Sequence, residues 1–155
     1  MSGAIKANSA HEALATALAL GRDLLGFERH ADARMSEART LLALAAGVSR
    51  TGLIGLDVED FTEDLMTRFV QLIERRKAGT PMSHLRGSRD FYKHTFKVTP
   101  DVLDPRADTE VLVQEALGTP FESVLDLGTG SGCILLSLLA ERGHARGLGC
   151  DISEA

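Results

Sequence analysis

The sequence contains no tryptophan, only two cysteines among its 155 residues, and no surplus of basic side chains. Cys133 and Cys150 are too few for a disulfide framework, and their spacing matches neither a zinc site nor a redox motif. The formal net charge of −5 argues against sequence-independent binding of nucleic acid, which needs basic surface to displace counterions. No apolar run approaches the roughly 20 residues of a membrane span. We expect a reduced, cytoplasmic protein with no membrane or direct nucleic-acid partner and no metal site, and we expect it to be a monomer.

Helical periodicity dominates the first 80 residues. The predicted helices cover about residues 10–25, 34–46 and 60–78. Ser9 and Glu12 have the spacing of a capping box at the start of the first helix, Gly47 ends the second, and Gly79 with Pro81 ends the third. We expect a small three-helix bundle. Its apolar positions are Leu14, Ala17, Leu18, Gly21 and Leu25, then Ala38, Leu41, Leu42 and Ala45, and finally Leu65, Phe69, Leu72 and Ile73.

The composition changes after this bundle. Between residues 82 and 98, aromatic side chains, alternation and turn residues predict a β-hairpin. The elements predicted beyond it are a helix over 109–117, a strand over 124–127, a helix over 132–142 and a strand over 148–150. In the first of these helices the apolar positions are Val111, Leu112 and Leu117. The last three elements form a β-α-β unit, which is the parallel crossover of an open α/β sheet.

A glycine-rich loop joins the first strand of this unit to its helix. Gly128, Gly130 and Gly132 allow a tight turn and a close approach of a ligand to the backbone, and the free N–H groups of the following helix point to the same place. Asp151 ends the next strand, where a carboxylate can accept hydrogen bonds from both hydroxyls of a ribose. The loop and the acid together predict a nucleoside site. The alternative is that the glycines only let the helix pack against the strand.

The residues around the glycines distinguish between two kinds of nucleoside. A dinucleotide fingerprint needs glycine at the sixth position of the motif, which is Cys133 in this sequence. Asp126 would repel a pyrophosphate but would favour the cationic groups of S-adenosyl-L-methionine. We therefore predict an S-adenosyl-L-methionine site. Its residues are Asp126, Gly128, Thr129, Gly130, Ser131, Gly132 and Asp151.

Further motifs precede the loop in "RRKAGTPMSHLRGSRDFYKHTFKVTPDVL" and "VLDPRADTE". Together with the glycine loop they resemble the release-factor glutamine N5-methyltransferase family. The most specific pieces are Arg76…Gly79-x-Pro81, Gly87-x-x-x-Phe91 and Pro105-Arg106-x-Asp108-Thr109-Glu110. The sequence departs from the family pattern at Ala107, where proline is usual, and at His94, where glycine is common. The resemblance extends from about residue 11 to the end of the sequence.

The resemblance implies an α/β fold class with three parts. Residues 1–80 are expected to form a helical substrate-recognition domain, and residues 81–104 a β-hairpin linker. Residues 105–155 are expected to hold the cofactor loop and the β-α-β start of a class I methyltransferase Rossmann-like sheet. The implied reaction is methylation of a glutamine side-chain amide in peptide chain release factors by S-adenosyl-L-methionine. The loop carrying Arg106 and Thr109 is expected to lie over this cofactor.

The family places an Asn-Pro-Pro-Tyr segment after the fourth strand of its sheet to align the substrate amide. No Asn-Pro pair occurs in this sequence, so no catalytic residue is assigned. We expect the chain to be an N-terminal portion of a methyltransferase, with a stable helical bundle, a loosely held C-terminal third and no activity alone. Two alternatives stay open: a related methyltransferase that acts on another protein or on a nucleobase amino group, and a non-catalytic helical interaction module.

Two residues near the predicted site also have simpler interpretations. Asp108 is suited to be the N-cap of the helix that follows it. Cys133, at a helix N-terminus, has either a lowered pKa or, as we expect, the role of a small packing residue.

Overall fold

The computed structural model describes residues 5–26 and 30–153 and divides the chain into two compact units, residues 1–80 and 81–155. The first four residues of the predicted helical domain and the last two of the predicted methyltransferase domain lie outside the described residues. Helices form the N-terminal unit, while the second unit combines helices with two small sheets. The mixed helix-and-sheet character is therefore confirmed. Among the described helices, none is both long and apolar enough to cross a membrane.

Three α-helices form the first unit: α1 (Ala10–Leu24), α2 (Ala31–Ala46) and α3 (Glu63–Lys77). All three predicted helices are confirmed, but α3 begins later than expected because Val58–Asp60 forms a separate 3-10 turn. The Asp57 N–H donates to the Asp60 carboxylate in that turn over 2.8 Å. The Thr62 hydroxyl then accepts the Leu65 N–H over 3.2 Å and caps α3.

The start of α1 departs from a reciprocal capping box. The Ser9 hydroxyl accepts the Glu12 N–H over 3.2 Å, as the spacing predicts. The Glu12 carboxylate, however, accepts the N–H of Asn8 over 2.8 Å and not that of Ser9. The predicted start of the helix is therefore confirmed, while the hydrogen bond to the Glu12 carboxylate comes from Asn8 and not from Ser9. At the end of α2, Gly47 has the left-handed conformation (φ 70°) expected of a helix C-cap.

The core of the first unit consists of apolar side chains from α1, α2, α3 and the loop before α3. Its largest fully buried members are Leu41, Leu42, Phe61, Met66, Phe69 and Ile73. Leu14, Leu25 and Leu72, which were also predicted to face inward, are only half-buried. Arg76 donates to the Glu37 carboxylate over 3.0 Å and to the Thr80 carbonyl over 3.1 Å. This arginine, part of a family motif, therefore fixes the end of α3 against α2.

The second unit begins with a short helix that was not predicted, α4 (Met82–Arg86), which Gly87 ends with φ 70°. The predicted hairpin follows as β1 (Ser88–Phe91) and β2 (His94–Lys97), paired antiparallel. The prediction of hairpin structure from residue 82 is therefore wrong for its first five residues. The turn lies at Tyr92-Lys93, and Tyr92 has a positive φ of 54°.

The remaining elements are α5 (Asp108–Leu117), β3 (Ser123–Leu127), α6 (Cys133–Glu141) and β4 (Arg146–Cys150). β3 and β4 pair in parallel from Ser123↔Arg146 to Leu127↔Cys150. The predicted parallel β-α-β unit is therefore present. Both of its strands begin one or two residues earlier than predicted.

Two predictions about α5 are wrong. Asp108 is the first residue of the helix and not its N-cap, because Ala107 occupies that position and accepts the Glu110 N–H over 2.9 Å. Val111 and Leu112 are more than half exposed, whereas Val113 is fully buried. Leu117, the third predicted apolar position, is half-buried and packs against the core of the second unit. The prediction is therefore confirmed at Leu117 and wrong at Val111 and Leu112. Val113 packs with Phe91, Phe96, Cys133 and Leu138 in the core of the second unit.

Helix α6 covers one face of the β3–β4 sheet. A Cβ added to Gly147 would lie 2.7 Å from methyl carbons of both Leu135 and Leu139, so the missing side chain lets the helix pack closely. On the opposite face, Leu125 and Leu148 stand directly across from each other in register, and both are exposed. The sheet is thus covered on one side only within the part of the chain that the structure describes.

Candidate cofactor site

The glycine loop between β3 and α6 has a left-handed backbone at all three of its glycines. The φ angles are 77° at Gly128, 51° at Gly130 and 75° at Gly132, a region that side chains disfavour. A Cβ added to Gly128 or Gly130 would meet no atom within 4 Å, whereas one at Gly132 would lie 3.2 Å from Leu136. Helix packing therefore explains at most the third glycine. The first two combine an unusual backbone with open space, which suits a ligand cradle.

The end of β4 holds this loop in place. The Cys150 carbonyl accepts two N–H groups, from Gly128 over 2.8 Å and from Thr129 over 3.0 Å. The Asp151 carboxylate accepts the Gly130 N–H over 2.8 Å and the Ser153 N–H over 3.0 Å. The structure therefore brings Asp151 and the glycine loop together, as their spacing in the sequence predicts. The N–H groups of Ser153 and Gly130 lower the pKa of Asp151 because they stabilise its ionised form.

Asp126 is fixed by a neighbour within the loop. The Thr129 hydroxyl donates to its Oδ2 atom over 2.9 Å, and both side chains are half-buried. Gly149 lies directly across from Asp126 in the parallel register. A Cβ there would lie 2.8 Å from the Thr129 hydroxyl oxygen. Gly147 and Gly149 were not among the predicted site residues, although two glycines at alternate positions of a strand indicate a close approach of another group.

The N-terminus of α6 completes the loop with Ser131, Gly132 and Cys133. Gly132 is the N-cap, and no side chain provides a capping hydrogen bond. Cys133 is buried in the core of the second unit, and this burial raises the pKa of its thiol. The expectation of a packing residue is therefore confirmed, and the alternative of a lowered pKa is wrong. Ser131 stays partly exposed beside the glycines.

The Asp-Pro-Arg-Ala-Asp-Thr-Glu segment is attached to the hairpin. The Glu110 carboxylate accepts the Tyr92 N–H over 3.0 Å, and the Arg89 side chain donates to the Pro105 carbonyl over 3.1 Å. Arg106 is exposed and Thr109 half-buried. Within residues 5–26 and 30–153, neither side chain forms a hydrogen bond to the glycine loop. Asp104 also forms an ion pair with Arg89 over 4.0 Å. Asp104, Pro105 and Glu110, which were not among the predicted site residues, thus attach the segment to the hairpin.

A helical N-terminal unit, followed by a glycine loop between two parallel strands, defines a mixed helix-and-sheet protein with an N-terminal helical domain. Residues 16–87 match the family described as PrmC N-terminal domain. This match and several similar curated proteins confirm the resemblance to the N-terminal portion of release-factor glutamine methyltransferases.

Several curated proteins are similar to this chain. It is 41% identical over 124 residues to the release factor glutamine methyltransferase of Cereibacter sphaeroides, which covers 80% of the chain and 45% of the relative. It is 47% identical over 114 residues to the protein of the same name from Burkholderia pseudomallei, which covers 71% of the chain and 40% of the relative. It is 44% identical over 123 residues to that of Moorella thermoacetica, which covers 77% of the chain and 44% of the relative. The chain spans less than half the length of these relatives.

Proposed function

We propose that the full-length protein containing this chain methylates the side-chain amide of a glutamine in peptide chain release factors, with S-adenosyl-L-methionine as the methyl donor. The names of the similar proteins support the reaction and the substrate. The observation that supports S-adenosyl-L-methionine as the cofactor is the glycine loop, which is bonded to Asp151 and has two left-handed glycines facing open space. The β-α-β unit is, in this proposal, the start of a class I Rossmann-like sheet, and the protein acts in the cytoplasm.

The residues of the loop suit the parts of this cofactor. Gly128 and Gly130 leave room for the ligand against the backbone, where a Cβ would otherwise stand. Asp126 would favour the cationic sulfonium and ammonium groups. Each Asp151 oxygen accepts one backbone N–H and retains a lone pair for a ribose hydroxyl. The cofactor supplies the methyl group when bound, and these residues bind and orient it.

Four further predicted site residues have smaller roles in this proposal. Ser131 and Gly132 lie directly before α6 and are proposed to place its first turn, whose N–H groups have no acceptor within the helix, beside the ligand. The Gly132 N–H itself donates to the Thr129 carbonyl over 2.8 Å. Arg106 and Thr109 remain proposed neighbours of the cofactor, and their support is the motif in which they lie. No residue of this chain is proposed to align the substrate amide, so the 155-residue chain is expected to be inactive by itself.

Residues 1–80 are proposed to bind the release factor. A groove of about 570 Å³ on this unit has an apolar floor that includes Leu14, Leu18 and Leu53. Arg39, Arg50 and His11 lie among the described residues that line it, and none of these lining residues is Asp or Glu. Cationic side chains around an apolar floor suit a protein segment with acidic and apolar side chains.

The full-length protein, a purified release factor and cofactor labelled in its methyl group test the proposal. We expect label on one glutamine of the factor, located by mass spectrometry of its peptides. Asp151→Asn should lower the incorporation at limiting cofactor, whereas Glu115→Gln, a change on the exposed side of α5, should not. Label on nucleic acid or on another amino acid of the factor would contradict the proposed substrate.

A further inference from the structure

Position 149 requires glycine because a side chain would collide with its neighbours, and not because of its backbone conformation. Its φ lies outside the left-handed region, so the backbone admits any residue there. A Cβ at this position, however, would lie 2.8 Å from Thr129 Oγ1, 3.1 Å from Thr129 Cβ and 3.0 Å from Leu135 Cδ2. The first two distances involve the short side chain of a tight loop, which has little freedom to move. Gly149 therefore makes the space that Thr129 occupies.

Thr129 uses that space to hold Asp126. Its hydroxyl donates to Asp126 Oδ2 over 2.9 Å, across the strand position that Gly149 leaves empty. The Thr129 N–H is bound to the Cys150 carbonyl, so backbone and side chain are both fixed. In the described part of the chain, Asp126 Oδ1 forms no hydrogen bond. The carboxylate is thus held by one oxygen while the other is left open.

We infer that Gly149 and Thr129 are positioning residues which orient the Asp126 carboxylate toward the cationic part of the cofactor. This inference rests on the proposed function and deepens it. It assigns the Thr129 hydroxyl to Asp126 and not to the cofactor. It also makes residue 149, where a Cβ would meet Thr129 and Leu135, a position where side-chain size determines cofactor affinity.

The affinity of the full-length protein for S-adenosyl-L-methionine tests this assignment by calorimetric titration. Thr129→Val keeps the shape and removes the hydroxyl, so we expect about tenfold weaker binding, the loss typical of a hydrogen bond to a charged group. Thr129→Ser keeps the hydroxyl and should restore most of the affinity. If the Thr129→Val and Thr129→Ser variants bound the cofactor equally well, the inference would be overturned.

A double-mutant cycle separates positioning from simple packing. Gly149→Ala should weaken binding in the native background, but have a several-fold smaller effect when Thr129→Ala has removed the hydroxyl. The matched control is Gly147→Ala, whose added Cβ would have its nearest neighbours in Leu135 and Leu139. Gly147→Ala is expected to lower the stability of the second unit without coupling to position 129. Equal coupling of both glycines to Thr129 would show that packing alone is involved.

Side-chain scalar couplings of the 155-residue chain provide a measurement without cofactor. Asp126 is expected to occupy one χ1 rotamer in the unaltered chain and in Thr129→Ser, and several rotamers in Thr129→Val and Gly149→Ala. Unchanged rotamers in the last two variants would overturn the inference whatever the cofactor does. If the unaltered full-length protein binds no S-adenosyl-L-methionine, the proposed function fails and the inference fails with it. If it binds while Thr129→Val binds as tightly, only the inference fails.

Discussion

At the scale of single residues, Asp151 links the candidate site to the pH dependence of the fold. Hydrogen bonds from the Ser153 and Gly130 N–H groups lower its pKa in the folded state. A carboxyl whose pKa is lower when folded contributes stability above its ordinary pKa, and this contribution is lost as the pH falls through the folded value. We expect a carbon-detected NMR titration of Asp151 to have its midpoint below the ordinary value of 3.8. In Asp151→Asn, urea unfolding should depend less on pH in the acidic range.

The Ser153 N–H provides the control for this titration. Ser153→Pro removes the donor and should move the Asp151 midpoint back toward the ordinary value, whereas Ser153→Ala keeps the N–H and should leave the midpoint in place. An Asp151 midpoint at the ordinary value in the unaltered chain would contradict the hydrogen-bonded arrangement of loop and carboxylate.

The two cysteines differ in environment, and we expect them to differ in reactivity. Cys133 is buried and burial raises its pKa, while Cys150 is exposed at the end of β4. Because the thiolate is the reactive form, a raised pKa and poor access both slow alkylation. Iodoacetamide at neutral pH should label Cys150 in the native chain and both cysteines in urea, as peptide mass spectrometry can determine. Equal labelling of the native thiols would mean that Cys133 is not part of the core.

At the scale of elements, the hairpin depends on a carboxylate of α5. Tyr92 lies in the turn of the hairpin and has φ 54°, which is a strained conformation for a non-glycine residue. The Glu110 carboxylate accepts its N–H over 3.0 Å. Glu110→Ala removes a half-buried acceptor, so we expect a loss of about 1 kcal/mol in the free energy of unfolding. Amide hydrogen exchange at Tyr92 should become faster.

Two further changes test the role of the Glu110 acceptor. Glu110→Gln keeps an oxygen that can accept the Tyr92 N–H and should be less destabilising than Glu110→Ala. Glu115→Ala changes an exposed carboxylate of the same helix and should leave the Tyr92 exchange rate unchanged. Similar stability losses for Glu110→Ala and Glu115→Ala would mean that the hairpin does not depend on this bond.

The elements that were predictable from sequence are those with more than two turns of periodicity or a strong terminal signal. α1, α2 and α6 have both, and their positions are confirmed within a few residues. α4 has one turn, too short for periodicity, although Pro81 before it and Gly87 after it form the usual pair of helix boundaries. α5 carries apolar residues on two sides, so only tertiary contact decides that Val113, and not Val111, is buried.

At the scale of the whole molecule, the part of the site that depends on spacing along the chain could be predicted, whereas the part that depends on strand pairing could not. The glycine loop and Asp151 belong to one strand-loop-helix-strand unit, so their spacing along the chain fixes their meeting in space. Gly149 is different, because its role depends on which residue of β3 lies across from it. That pairing, Asp126↔Gly149, follows from the register of the folded sheet.

The β3–β4 sheet also has an unusual surface for a parallel sheet. Parallel strands are normally covered on both faces, yet Leu125, Leu127 and Leu148 are 59%, 73% and 65% exposed on the face away from α6. A contiguous apolar face of this kind binds hydrophobic dyes. We expect the folded 155-residue chain to enhance the fluorescence of anilinonaphthalene sulfonate, and the double substitution of Leu127→Thr with Leu148→Thr to reduce that enhancement.

Stability measurements decide whether this dye signal comes from the native sheet face or from unfolded chain. Because the substituted side chains are exposed, the double variant should keep its free energy of unfolding within about 0.5 kcal/mol per site. Leu138→Thr in the buried core of the second unit should instead cost about 2 kcal/mol or more and increase dye binding. Dye binding that is absent from the unaltered chain, or unaffected by the double substitution, would show that the leucine face is not an accessible surface in solution.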